Sequence, residues 1–353
     1  MAKQKADLRP FNVKRRFSES LIPLVNGKYL IKAARKGNGM IMATNIRCRL
    51  PVEGIVRASM ATRAPVMYEI AKSEMSYTEF TPASFVEFIL QENERLGNTE
   101  VPFAIHADHL TVKKPEEIEG VRNLIAAQME AGFTSFAIDA SHMENELNLA
   151  ATVDLAQPVV QANLSLEVEL GEIGAKSGNA EGFTRPDEAQ WFVRELVKRS
   201  VHPDLLAINN GSKHGNYLEG EKISIDLERT GEIYNAIKEF GVCIAQHGVT
   251  GTPLHLIGIF ADYGIRKANV GTQWQNVAHA GLPEDLMAEM RAWAAQNKKD
   301  VKMAAKPFKD KIDSIPASFQ QKIADQAFEE AKVFIQAFRA VGTASRVLEG
   351  LTA

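Results

Sequence analysis

The order of apolar segments predicts an α/β fold, a (β/α)8 TIM barrel with extra C-terminal helices. Eight short runs, many of them β-branched, occupy residues 39–46, 64–71, 101–108, 135–141, 164–171, 205–211, 242–248 and 265–272. Segments with helical spacing separate them at 51–62, 115–131, 145–162, 185–198, 224–239 and 252–263. Strands apolar on both faces and alternating with helices build a closed parallel sheet. The third observation is that ionisable residues collect at the carboxyl ends of these runs, the face on which such barrels place their sites.

Taken in order, residues 1–30 read as an arm with a short helix, 31–282 as the barrel and catalytic domain, and 283–353 as a helical extension. Pro51, Pro82, Pro115, Pro186 and Pro253 stand near first helical turns, where a missing N–H costs little, and Gly132 follows a helix end. The tail, interrupted near 306–316, is too long for one closing helix and is expected to pack outside the barrel or on a neighbouring subunit. Of the 353 residues, 45% are hydrophobic and 24% charged, enough for a sizeable core. A net charge of −3 without a basic tract argues against a nucleic-acid partner. Cys48 and Cys243 suggest no disulfide framework, the charged start MAKQKADLRPFNVKRR lacks a signal-peptide core, and no run approaches the ~20 apolar residues of a membrane span. A soluble, cytoplasmic protein with no membrane partner is expected.

Residues 101–110, VPFAIHADHL, open apolar and end on His106, Asp108 and His109. Adjacent Asp108 and His109 would point to opposite faces of a regular strand, so both serve one site only if the strand ends there and the backbone turns. The fourth run ends AIDASH, giving Asp139, Ser141 and His142. The fifth, LSLEVELG, puts Glu167 and Glu169 on one face, and an inward charge needs a partner. The sixth ends NNGSKHGNY with His214, the seventh AQHGVTG with His247. One such histidine is ordinarily a hydrogen-bonded residue; three on active-face loops, beside Asp139 and Glu169 and without thiolates, suit Zn2+ with an open position. The loops 247–251 and 269–272 carry glycines and hydroxyls suited to a phosphate. Residues 172–183, EIGAKSGNAEGF, read as a lid. Lys72 and Lys267 are candidate Schiff-base nucleophiles that a metal route does not need.

The stretches HADH (106–109), GFTSFAIDASHMENELN (132–148), LEVELGEIG (166–174), SKHGNY (212–217), QHGVTG (246–251) and GIRKANVGT (264–272) resemble the class II, metal-dependent ketose-bisphosphate aldolases, the fructose- and tagatose-bisphosphate aldolase family. The resemblance spans about residues 30–280 in family order. It implies that His109, His214 and His247 bind a catalytic Zn2+, that Asp139 and Glu169 line an alternative metal position, and that Asp108 is the acid/base. It further implies that Asn269 binds substrate, that Gly215, Gly248, Thr250 and Thr272 match positions holding a substrate phosphate, and that an additional monovalent cation accompanies the zinc.

Departures from the family matter as much. Acidic lid residues are replaced by Lys176 and Ser177, with Glu172 and Glu181 the nearest substitutes. The family's NIDT becomes NVGT, so an acidic substrate contact is Gly271. A serine expected at the end of strand two is replaced within EIAKSE, where Glu69 and Lys72 are newly charged; Glu69 is expected to meet a substrate hydroxyl or to pair with Lys72. The expectation is a zinc-dependent aldolase, homodimeric or homotetrameric, that cleaves a phosphorylated or acidic ketose other than fructose 1,6-bisphosphate. A zinc-dependent isomerase or epimerase on the same barrel, and a non-catalytic partner subunit, are the alternatives.

Overall fold

A computed structural model describes residues 9–78, 80–171, 182–213, 215 and 224–350. Eight parallel strands, β1 (Ile41–Asn45), β2 (Val66–Ala71), β3 (Ala104–Thr111), β4 (Ser135–Asp139), β5 (Ser165–Leu170), β6 (Leu205–Ile208), β7 (Cys243–Gln246) and β8 (Ile265–Val270), close into a barrel in sequence order, β8 pairing with β1. Each lies within or across one of the eight apolar runs, as expected for strands buried on both faces. The fold is the expected (β/α)8 barrel.

The helices are α1 (Phe11–Arg16), α2 (Gly27–Gly37), α3 (Val52–Thr62), α4 (Lys72–Thr78), α5 (Pro82–Arg95), α6 (Ile118–Ala131), α7 (Asn145–Gln161), α8 (Pro186–Lys198), α9 (Leu227–Ile237), α10 (Leu254–Ile257), α11 (Thr272–Gly281), α12 (Glu284–Asn297), α13 (Lys309–Asp313), α14 (Ala317–Ala337) and α15 (Thr343–Gly350). Local chemistry sets their ends. Thr81 and Ser84 cap α5 reciprocally with Pro82 in the first turn, and Gly132 closes α6 in the left-handed region. The single helix expected over 252–263 is broken into α10 and a 3-10 turn at Phe260–Tyr263, with Gly258 at the break.

Helix α2 was not foreseen, and the boundary expected at residue 30 falls inside it. Asn26 caps it, and its Leu30, Ile31 and Ala34 pack with Ile41, Ala43, Met67 and Ala104 inside the amino end of the barrel. The helix plugs the floor, so the interior is apolar below and polar only above.

The C-terminal tail packs on this chain's own barrel, α14 against α3 and α11, α15 against α2. Its 3-10 turn Val301–Ala305 lies against α4, back over the carboxyl face of the barrel. Gly54 lets α3 and α14 touch: a Cβ there would stand 2.6 Å from Phe328 N and 2.8 Å from Ala327 Cβ, and would collide with Ala324 O. Gly54→Ala is therefore expected to destabilise the fold by about 1–3 kcal/mol, the usual range for overpacking, read as a lower urea midpoint. An unchanged midpoint would mean that the two helices do not pack this closely. Among the described residues, no helix is long and apolar enough to cross a membrane.

Candidate active site

The site begins with an irregularity in β3. The strand does not stop at Asp108 but runs on to Thr111. His109 takes a left-handed φ of 41°, and the β3–β4 register moves from Ala107↔Phe136 to Leu110↔Ile138, one residue more on β3 than on β4. Such a bulge re-aims a side chain, so Asp108 and His109 serve one pocket without the strand ending. A non-glycine residue held there stores roughly 1–3 kcal/mol of strain.

The two imidazoles converge. His109 Nε2 lies 2.8 Å from His247 Nδ1. Each ring is held from behind by a buried carboxylate: His247 Nε2 is 2.8 Å from Glu167 Oε1, and His109 Nδ1 is 2.8 Å from Glu169 Oε1. Asp139 stands further off, 3.6 Å from His109 Nδ1, its oxygens accepting from Thr111 Oγ1 and from the Ser141 hydroxyl and N–H. Asp108, His109 and His247 present ligand atoms within 4.8 Å of one another, as do His109, Asp139 and Glu169.

Asp108 is gripped by two amides. Asn45 Nδ2 donates to its Oδ2 at 2.8 Å and Asn269 Nδ2 to its Oδ1 at 3.1 Å. Burial pushes this carboxyl up, but the cationic forms of His109 and Lys267 outweigh it and hold the group well below the usual range. Asn269 Oδ1 is buried with no hydrogen-bond partner among the described residues.

Beneath the pocket lies an ionic layer. Lys267 Nζ is 2.9 Å from Glu167 Oε2 and 3.2 Å from Glu69 Oε2, all three fully buried. Burial, then the Asp108 charge, pushes the Glu69 carboxyl well up, while burial and Lys267 push His106 down to about 3. His106 is therefore neutral, with Nδ1 against Ser135 Oγ at 2.7 Å. Glu69 thus pairs with Lys267 rather than Lys72, and it does not line the pocket. Lys72 instead donates to Thr111 O. Lys267, charged and locked between the Glu167 carboxylate and the Glu69 carboxyl, is no free amine for a Schiff base.

The pocket has a volume of about 560 Å³. Asp108, His109, Asp139 and Glu169 line it, and so do Gly215, Gly248, Thr250, Asn269, Gly271 and Thr272. Gly248 is required: its φ is +67°, and a Cβ would press on the Lys213 carbonyl. His214, Glu172, Lys176 and Glu181 lie outside the described residues. Sequence reasoning missed Asn45, Arg47, Glu74 and Lys302, which also line the cavity. Only Asn45, in ATN at the end of the first run, carried a signal of the kind used for the other strands.

Comparison with known proteins follows the same direction. A family profile described as fructose-bisphosphate aldolase class-II matches residues 25–334. A fructose-bisphosphate aldolase of Staphylococcus aureus (strain Mu50) is 30% identical over 271 residues, 75% of this chain and 87% of that protein. One of Streptococcus pneumoniae serotype 4 is 26% identical over 303 residues, 85% of this chain and 96% of that protein. The crystal structure of the YdjI aldolase from Escherichia coli shares the fold, with a TM-score of 0.66 at 20% identity over 91% of this chain and 99% of that one.

Proposed function

Because the chain belongs to the class II fructose-bisphosphate aldolase family and is thus an aldolase, a carbon–carbon lyase, we propose that it cleaves a phosphorylated or acidic ketose with zinc at His109 and His247. The observation that carries this reading is the convergence of His109 Nε2 and His247 Nδ1, each ring oriented by a carboxylate on its other nitrogen. Imidazole held in one tautomer by a carboxylate is the usual arrangement around zinc. The donor set, imidazole and carboxylate without thiolate, fits that ion. His214 is assigned as the third nitrogen ligand, and Glu169 and Asp139 as the alternative oxygen ligands. Held by these residues, a zinc ion would supply Lewis acidity toward negative charge developing on the substrate, an effect of several kcal/mol.

The chain's own residues do the rest. Asp108 takes the proton from the hydroxyl on the carbon–carbon bond that breaks; its two amide partners hold the carboxylate toward the pocket, leaving it ionised and in place. Asn269 offers its unpaired Oδ1 to a substrate hydroxyl. Gly248, Thr250 and Thr272 surround the amino end of α11, where backbone N–H groups and the helix dipole favour a phosphate.

Product analysis tests the reaction: two shorter carbonyl fragments support cleavage, whereas a single isomer supports an epimerase or isomerase. Substrate choice differs from that of the named relatives. Among the departures that fall in the described residues, only Gly271 lines the pocket, since Glu69 lies beneath it. Fructose 1,6-bisphosphate is expected to be a poor substrate and another phosphorylated or acidic ketose a better one. A kcat/KM for fructose 1,6-bisphosphate above ~10⁴ M⁻¹s⁻¹ and above every other ketose in a panel would overturn that choice.

A further inference from the structure

The cavity has a second charged end, used neither by the imidazoles nor by Asp108. Arg47 stands two residues beyond β1 with its side chain in the pocket wall. Glu74 on α4 fixes it: Arg47 Nε donates to Glu74 Oε1, while Glu74 Oε2 accepts from the Ala71 N–H at 2.9 Å and from Asn45 Nδ2 at 3.3 Å. Arg47 Nη1 donates to Thr272 Oγ1 at 3.2 Å, and Nη2 makes no hydrogen bond among the described residues. Since the second oxygen of Glu74 is committed elsewhere, the pair does not close into the two-pronged Arg–carboxylate fork.

Gly271 makes room for this arrangement. Its φ of −109° is open to any residue, so the backbone does not demand glycine. The side chains of Asn45 and Arg47 close on the position instead: a Cβ there would stand 2.9 Å from Asn45 Oδ1 and 3.1 Å from Arg47 Nη2, so a residue at 271 would press on these two side-chain ends. The guanidinium therefore borders the place a side chain at 271 would fill. Two further positive features meet at this end. α11 begins at Thr272, turning its positive amino end here. Lys302, on the turn that the C-terminal tail lays against α4, lines the same cavity and has no ion-pair partner among the described residues.

We propose that Arg47 is a specificity-determining residue, which with Lys302 and the amino end of α11 receives an oxyanion of the substrate in the space left open by Gly271. The oxyanion is a phosphate or a carboxylate borne by the ketose. This rests on the aldolase reading for the ketose itself and deepens it: the tail beyond the barrel becomes part of the binding site.

The test is calorimetric titration of the metal-bound Asp108→Asn protein, in which binding is measured without turnover. The probes are D-fructose, D-fructose 1-phosphate, D-fructose 6-phosphate and D-fructuronate, so that neutral, phosphate and carboxylate forms are compared. At least one anionic ketose is expected to bind about tenfold or more tighter than fructose, as a charge-assisted contact provides. Arg47→Gln is expected to remove that preference, Arg47→Lys to keep part of it, and Gly271→Asp to lower it by setting a carboxylate against the guanidinium. Lys302→Gln, on a partly exposed turn, is expected to lower it by roughly two- to fivefold and keeps the test readable if Arg47→Gln does not fold. The proposal falls if no anionic ketose binds more tightly than fructose, or if folded Arg47→Gln keeps the full preference. Cleavage by the parent chain is assayed separately: an Arg47-dependent preference without cleavage on any ketose keeps the anion site and removes the aldolase reading.

Discussion

His247→Ala and His109→Ala are each expected to lose the bound zinc and to lower carbon–carbon cleavage by about 10³-fold or more, as removal of several kcal/mol of Lewis-acid stabilisation requires. Chelation should do the same to the parent chain, and added zinc should restore only the parent. The fold should survive, because the ionic layer below does not depend on either ring: without His247, Glu167 still faces Lys267 at 2.9 Å. A subtler variant separates holding the metal from orienting its ligand. Glu167→Gln keeps a partner for His247 Nε2 but removes the charge behind it, and is expected to weaken zinc binding by ~10–100-fold, the usual effect of such a partner. Metal content per chain, measured alongside cleavage, decides. One zinc per chain retained by both histidine variants would remove the assigned site.

Much of this was legible because burial and chemistry coincide with sequence order. A parallel barrel strand buried on both faces leaves an apolar run whatever its neighbours, so all eight strands showed. The carboxyl ends of the strands show as well, since polar residues interrupt the runs there, as in Asp108–His109, Asp139, Glu169 and His247. What the sequence could not carry is depth and direction. Glu69 and Ala71 share a face of β2, but two residues of strand are roughly 6–7 Å. Ala71 therefore reaches the pocket while Glu69 lies in the layer of Lys267 and Glu167. The left-handed His109 is set by pairing with β4, which no local pattern encodes. Arg47 and Glu74 come from separate segments that meet because β1 and β2 pair side by side, and Lys302 joins them because the tail folds back over α4.

Asp108→Asn should retain the fold and the zinc and lower cleavage by roughly 10²–10⁴-fold, the ordinary contribution of a positioned acid or base. The carboxylate is held in place by two donors, Asn45 Nδ2 and Asn269 Nδ2. An asparagine at 108 has nearly the same shape but one acceptor oxygen instead of two, so one donor must turn away. That costs about 1–3 kcal/mol of stability at a buried site, too little to unfold a domain of ordinary stability. The catalytic loss has a different origin: an amide at neutral pH has no basic oxygen to take the hydroxyl proton. Asn45→Ala gives the complementary reading, since it removes one anchor while leaving the base, and should therefore lower cleavage far less than Asp108→Asn. Single-turnover cleavage, with zinc content and thermal unfolding measured on the same samples, distinguishes the two effects. If Asp108→Asn cleaves at the parent rate, the proton leaves by another route and Asp108 is only a hydrogen-bond acceptor for its two amides.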